Sequence, residues 1–261
     1  MRKIILALVA VAAATGSASA ADIPMKAPAP AYNPPPVYNW TGFYLFGGFG
    51  YGLWEADTKT VDPLTGVCVL CIEQRQGGRG WYGTVGGGYD WQFSGRWVAG
   101  ILADAQFGNI KGTIQDQINF SAGQEELKDT WAVGVRLGYL VAPNVLSYVN
   151  GGYTGANWSG TNLVEPGIGI SLAEHTNSFN STGWFIGGGV ENSFDFFGIN
   201  IPGLFMKTEY RWAQYGTTQI GQLSNTTGLP VADTISFHPQ VQTVSTSLVY
   251  RFNWGGPAIR Y

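Results

Sequence analysis

No run of about 18 apolar residues occurs anywhere in the sequence, so a helix able to cross a membrane is excluded. Charge is scarce too. Asp, Glu, Lys and Arg make up 12% of the 261 residues, against roughly 25% in an ordinary soluble domain. The net charge is −3 and no basic cluster stands out, which argues against nucleic acid as a partner. Two cysteines are too few for a disulfide scaffold, and a zinc site on them would need further ligands nearby. What is abundant is glycine, with 38 residues, and aromatics, with ten Trp, 13 Tyr and 14 Phe. A charge-poor, aromatic-rich chain without a long apolar run fits membrane-crossing strands better than helices.

The first residues read as a secretory signal: Arg2 and Lys3, an apolar run from Ile4 to Ala14, then Ala18-Ser19-Ala20. Cleavage after Ala20 leaves 12 basic against 17 acidic residues, near −5. Residues 21–39 carry six prolines between Pro24 and Val37 and read as an extended periplasmic tether. A barrel is expected over 40–254 and a short tail over 255–261.

Between Trp40 and Trp254, apolar and polar side chains alternate in eight stretches, at about 41–54, 80–93, 96–109, 129–141, 144–157, 183–196, 203–216 and 241–253. In Leu204 to Trp212 the even positions are mostly apolar, while Lys207, Glu209 and Arg211 take odd positions. A strand sends these to opposite faces. Links between stretches alternate short and long, with long ones at 55–79, 110–128, 158–182 and 217–240. The pattern predicts an all-β, eight-stranded, antiparallel up-and-down transmembrane barrel with short periplasmic turns and long extracellular loops. Trp40, Trp54, Trp81, Trp91, Trp97, Trp131, Trp158, Trp184, Trp212 and Trp254 fall near the strand ends and are expected to form two aromatic girdles.

Parity sends Trp131, Val133, Val135, Leu137 and Tyr139 to lipid, and Val244, Thr246, Leu248, Tyr250 and Phe252 likewise. The facing of the fifth stretch stays open, because Leu146 and Tyr148 compete with Val145, Val149 and Tyr153. The inward set holds four acids, Asp90, Asp104, Glu191 and Glu209, against four bases, Arg136, Lys207, Arg211 and Arg251. Charges in a narrow lumen are costly unless paired, so a salt-bridge network is the first reading and an ion or proton path the second. Inward glycines such as Gly86 and Gly88 leave room for large neighbours such as Tyr44 and Phe46, or for water.

Cys68 and Cys71 lie in the first long link and are expected to pair with each other in an oxidising compartment. His175 and His238 both fall in long links and could meet at the outer surface, with a metal or haem role there the lesser reading. Gly47 to Gly52 superficially matches a dinucleotide fingerprint, but no helix follows. Ser236 near His238 does not make a catalytic triad. No catalytic residue, metal or cofactor is expected.

Several short motifs resemble the Omp25/Omp31-like outer-membrane proteins of alphaproteobacteria. They are Ala21-Asp22-Ile23-Pro24-Met25-Lys26-Ala27-Pro28, Tyr38-Asn39-Trp40-Thr41-Gly42-Phe43-Tyr44, Gly183-Trp184 with Gly187 to Glu191, Lys207 to Trp212, and Val249 to Pro257. The resemblance implies an eight-stranded barrel of the porin-family or surface-antigen kind, tied to envelope integrity and host contact, with haem binding attributed to some relatives. It carries no catalytic residues. The common terminal phenylalanine is replaced by a tail after Phe252. The expected role is a structural, non-enzymatic barrel of the Gram-negative outer membrane whose lumen is plugged by paired charges. Its expected partners are outer-membrane lipid and lipopolysaccharide, the barrel-assembly machinery, and cell-wall or host-surface contacts. The alternatives are a small ion- or solute-conducting porin and, below it, a lipid-modifying enzyme or haem-binding surface protein.

Overall fold

The computed structural model describes residues 39–252 apart from 63, 69–70, 72, 117–120, 165–170, 195–197 and 199–200. The expected signal peptide, most of the tether, the tail and Trp254 lie outside the described residues.

The strands are β1 (Gly42–Val61), β2 (Gln74–Phe93), β3 (Trp97–Asp116), β4 (Ser121–Ala142), β5 (Val145–Trp158), β6 (Asn162–Val164), β7 (Ser171–Thr176), β8 (Phe179–Ser193), β9 (Leu204–Tyr215), β10 (Thr218–Ser224) and β11 (Pro230–Phe252). All pairings are antiparallel. One ring runs β1-β2-β3-β4-β5-β8-β9-β11, and β11 pairs back onto β1 from Phe43↔Phe252 to Val61↔Thr234. Closure leaves no sheet edge within the membrane. The eight-stranded up-and-down barrel expected from the alternation is the fold found.

The three short strands are continuations rather than extra staves. β6 follows β5 after three residues, β7 precedes β8 by two, and β10 follows β9 by two. Above these bends β4 pairs with β6, β6 with β7, β7 with β10, and β10 with β11. A second ring of eight therefore stands on the first. Between β8 and β9 the ladder stops at Gly183↔Tyr215 and resumes in the same register at Thr176↔Gln222 in β7 and β10. A backbone bond from Gly216 N–H to Thr182 O lies in that interval.

The strands reach further than the apolar alternation indicates, so much of the segments 55–79 and 110–128 is strand. Beyond Trp54 the alternation persists, with Ala56 and Thr58 buried and Asp57 and Lys59 exposed. There the outer face meets water instead of lipid, and an outward apolar pattern no longer marks it.

Outward Val135 (62% exposed), Ile101 and Leu248 form the apolar belt, and Trp81, Trp91, Trp97, Trp131 and Trp184 are all exposed on that face. Trp212 is half-buried beside Trp184, with ring centroids 5.0 Å apart. Trp40, Trp54 and Trp158 do not belong to the girdles. They are 0–1% exposed and lie inside the barrel. Trp54 has the inward parity of Gly48, Gly50 and Gly52, and Trp158 that of Ala156, while Trp40 precedes the first strand. Position near a strand end is shared by both faces; parity separates them.

If these facings hold, single-tryptophan variants refolded into bilayers of brominated lipid should divide cleanly. Trp184 and Trp131 fluorescence should be strongly quenched and that of Trp54 and Trp158 nearly unaffected. Quenching of Trp54 matching that of Trp184 would reject the inward assignment.

Candidate functional site

The lumen is built in three tiers. At the turn end, Trp40, Tyr44, Phe46, Val98, Leu140, Leu146, Tyr148, Phe205 and Val249 form a buried apolar floor. Trp40 Nε1–H donates to Pro143 O at 3.4 Å, which ties the segment before β1 across the opening.

Above and among these lie the charges, each no more than 7% exposed. Asp90, Arg136, Glu191 and Arg251 make a closed ring of alternating sign. Arg136 donates to both oxygens of Asp90, from Nε at 2.7 Å to Oδ1 and from Nη2 to Oδ2, and from Nη1 to Glu191 Oε2 at 3.1 Å. Arg251 closes the circuit from Nε to Glu191 Oε1 and Nη1 to Asp90 Oδ2, each at 2.7 Å. In the second cluster Arg211 forks onto Asp104 at 2.8 and 2.9 Å and donates to Glu209 Oε1 at 2.8 Å. Glu209 Oε2 accepts from Tyr148 at 2.8 Å and Asn150 at 3.0 Å, and Lys207 Nζ lies 3.7 Å away. Every one of the eight charges has an opposite partner. Such pairing, with bidentate geometry, is what offsets the loss of hydration.

The backbone permits this through glycine. Gly100 sits between Asp90 and Arg136 in register, and a Cβ there would collide with the Asp90 carboxylate. Cβ atoms at Gly88 and Gly86 would meet the Tyr44 hydroxyl at 2.5 Å and Phe46 Cζ at 2.6 Å. These two rings in turn carry cations: Arg136 lies 4.3 Å above Tyr44 and Lys207 3.3 Å above Phe46. Cation–π contact adds further attraction once the cation is desolvated.

β5 presents Leu146, Tyr148 and Asn150 inward and Val149 and Tyr153 outward, which resolves the facing left open by its sequence. Tyr148 and Asn150 thus join the network although no charge marks them.

In the upper ring Trp54, Trp158, Phe179 and Phe237 stack edge-to-face and face-to-face, with centroids 5.1 to 6.0 Å apart, inside a large apolar cluster. Asp116 on β3 and Glu125 on β4 lie buried in this tier, and Asp116 accepts from Thr60 Oγ1 at 3.0 Å. Glu125 is 0% exposed, and among the described residues neither carboxylate oxygen meets a hydrogen-bond partner in good geometry. Burial, with the nearby Glu126 carboxylate adding to it, pushes its carboxyl up to about 8. It falls in the segment 110–128 read as loop, so no sequence signal singles it out.

Cys68 and Cys71 are joined as a disulfide with Cα atoms 4.9 Å apart. The histidines do not meet: His175 Nδ1 bonds with Asn225, and His238 bonds with Gln214 and Thr217. Ser236 lies on the same face of β11 as His238, whose two ring nitrogens are already engaged by those neighbours. Among the described residues no three His, Cys, Asp or Glu side chains are grouped to hold a metal.

A closed barrel with paired lumen charges and aromatic rims is matched at the level of sequence by the outer membrane protein beta-barrel domain, whose model covers residues 5–252. The chain belongs to that family. It accordingly lies in the outer membrane of a Gram-negative cell, with its apolar belt in lipid. Solved structures similar to it include OprG from Pseudomonas aeruginosa, at 10% identity over 81% of this chain and 97% of that one with a TM-score of 0.49. Ail of Yersinia pestis is similar at 9% identity over 78% and 99%, with a TM-score of 0.33. No curated protein sequence matches the chain.

Two predictions follow from the tiers of this family member. Arg136→Ala leaves Asp90 and Glu191 to share Arg251, so the unfolding midpoint in detergent should fall, by about 3 kcal/mol of stability. Val135→Ala next to it faces lipid and should change stability by less than about 1 kcal/mol; equal effects would reject the facing. For Glu125, the folded chain keeps a proton that the unfolded chain releases above its usual value near 4.5. The folded state should therefore lose stability as pH rises from about 4.5 to about 8, with no further loss above. Urea titrations of the wild type and Glu125→Gln across that range should converge at low pH and diverge toward pH 8, the variant being the more stable; parallel curves would count against a buried neutral acid.

Proposed function

We propose that this protein is a structural barrel of the outer membrane, similar to the Omp25/Omp31-like proteins, that contributes to envelope integrity and surface contact without catalytic turnover. The observation that carries the reading is the closed pairing of all eight lumen charges between apolar tiers. A conducting route needs charges that face water, whereas these face each other. The network also draws a charged or hydrogen-bonding group from every stave of the lower ring except β1. β1 supplies Tyr44 and Phe46 beneath the cations. Such fastening suits a load-bearing wall element, held by its girdles in lipid and presenting its upper ring outward.

Single-channel recording separates this from a small pore. Refolded mature chain, verified by its heat-dependent gel shift, should give no discrete steps in a planar bilayer. The Arg136→Ala, Arg211→Ala double variant, in which both clusters are opened, should leak intermittently. Steady wild-type steps whose ion selectivity changes in the double variant would replace the plug with a pore.

A further inference from the structure

A polar notch of about 270 Å³ opens on the outer wall of the upper ring, lined by Asp57, Lys59, Glu73, Thr217, Ser236 and His238. The wall beside it is tied together by side-chain bonds. Trp212 Nε1–H donates to Gln240 Oε1 at 3.2 Å, Gln240 Nε2–H donates to Glu55 Oε2 at 3.2 Å, and Arg75 pairs with Glu55 at 2.7 Å. One wall is fixed as well, because His238 is held by Gln214 and by Thr217 Oγ1 at 3.0 Å. By contrast Asp57, Lys59 and Glu73 carry no ion pair among the described residues. The notch thus combines a fixed His238 wall with an ammonium and two carboxylates left open to a ligand.

Its height indicates what meets it. Trp81, opposite Tyr51, belongs to the upper girdle, and Asp57 opposite His238 lies six residues further along β1. At about 3.4 Å per residue and a tilt near 45°, that is about 14 Å above the level of Trp81. The wall there looks sideways, past the acyl and headgroup zone, into the sugar layer of the outer leaflet. Carboxylates, an ammonium and hydroxyls around a small cleft suit a polyhydroxylated ring, whose hydroxyls donate to Asp57 and Glu73 and accept from Lys59.

We propose that this notch binds a core sugar of lipopolysaccharide in the surrounding leaflet. It rests on the surface-contact part of the proposed function and on no property of the lumen. The test is the lipopolysaccharide retained per barrel, read by native mass spectrometry after extraction from vesicles of phospholipid with lipopolysaccharide. Wild type should retain it, and soluble core oligosaccharide without acyl chains should compete it off. Lys59→Ala with Asp57→Ala, which removes ligand groups, and Thr217→Trp, which fills the cleft, should each reduce retention at least tenfold while the gel shift shows a folded barrel. Undiminished retention in both variants would overturn the site, leaving the belt and girdles as the holders. Retention lost in the variants but indifferent to soluble core would overturn the sugar assignment. A barrel that conducts yet loses lipopolysaccharide in these variants would keep the notch and reject the plug, so the two readings fail separately.

Discussion

Charge neutralisation inside a narrow wall is the constraint on which the rest of this barrel depends. Four carboxylates and four cations lie buried, none more than 7% exposed, and each is held because an opposite charge on another stave, or on the same one, reaches it. The Asp90, Arg136, Glu191 and Arg251 circuit spans β2, β4, β8 and β11, so the pairing fixes how those strands sit around the ring. A one-residue slip of any of them would turn its charge into lipid, where the cost is far higher. The network therefore specifies register even where its net stabilisation is small.

Apolar tiers above and below make that pairing tight. The floor built around Trp40 and the stack of Trp54, Trp158, Phe179 and Phe237 keep water from the ion pairs, and a low local dielectric strengthens what attraction remains. Glycine is the enabling residue for both halves of the arrangement. Side chains at Gly86, Gly88 and Gly100 would occupy the volume now filled by Phe46, Tyr44 and the Asp90 carboxylate. A glycine-rich barrel with few charges is thus one in which large rings and long cations share a small bore.

The lower ring was legible in the sequence because lipid imposes an apolar outer face, and its alternation against Lys207, Glu209 and Arg211 reveals both surfaces at once. The upper ring was not. Outside the membrane the outer face is polar, as at Asp57 and Lys59, so the alternation that identifies strands fades although the ladder continues. The same loss hid Glu125. The three inward tryptophans were hidden by a different ambiguity, since an indole near a strand end satisfies either a girdle or a plug. On β5 the contest between Leu146 and Val149 was undecidable from hydropathy, because the lumen of this barrel also accepts large apolar side chains.

The upper ring differs from the lower in how it treats a buried acid, and that difference separates their roles. Below, each of the four lumen carboxylates meets a cation. Above, Glu125 meets no cation among the described residues and fits its apolar surroundings while it holds its proton. Loss of that proton would place a bare charge beside Leu127 and its apolar neighbours, near the seam where Ala122 of β4 pairs with Val164 of β6. The lower tier fastens staves by ion pairs, while the outer tier, which meets the exterior first, holds in Glu125 a buried acid whose charge state bears on its stability.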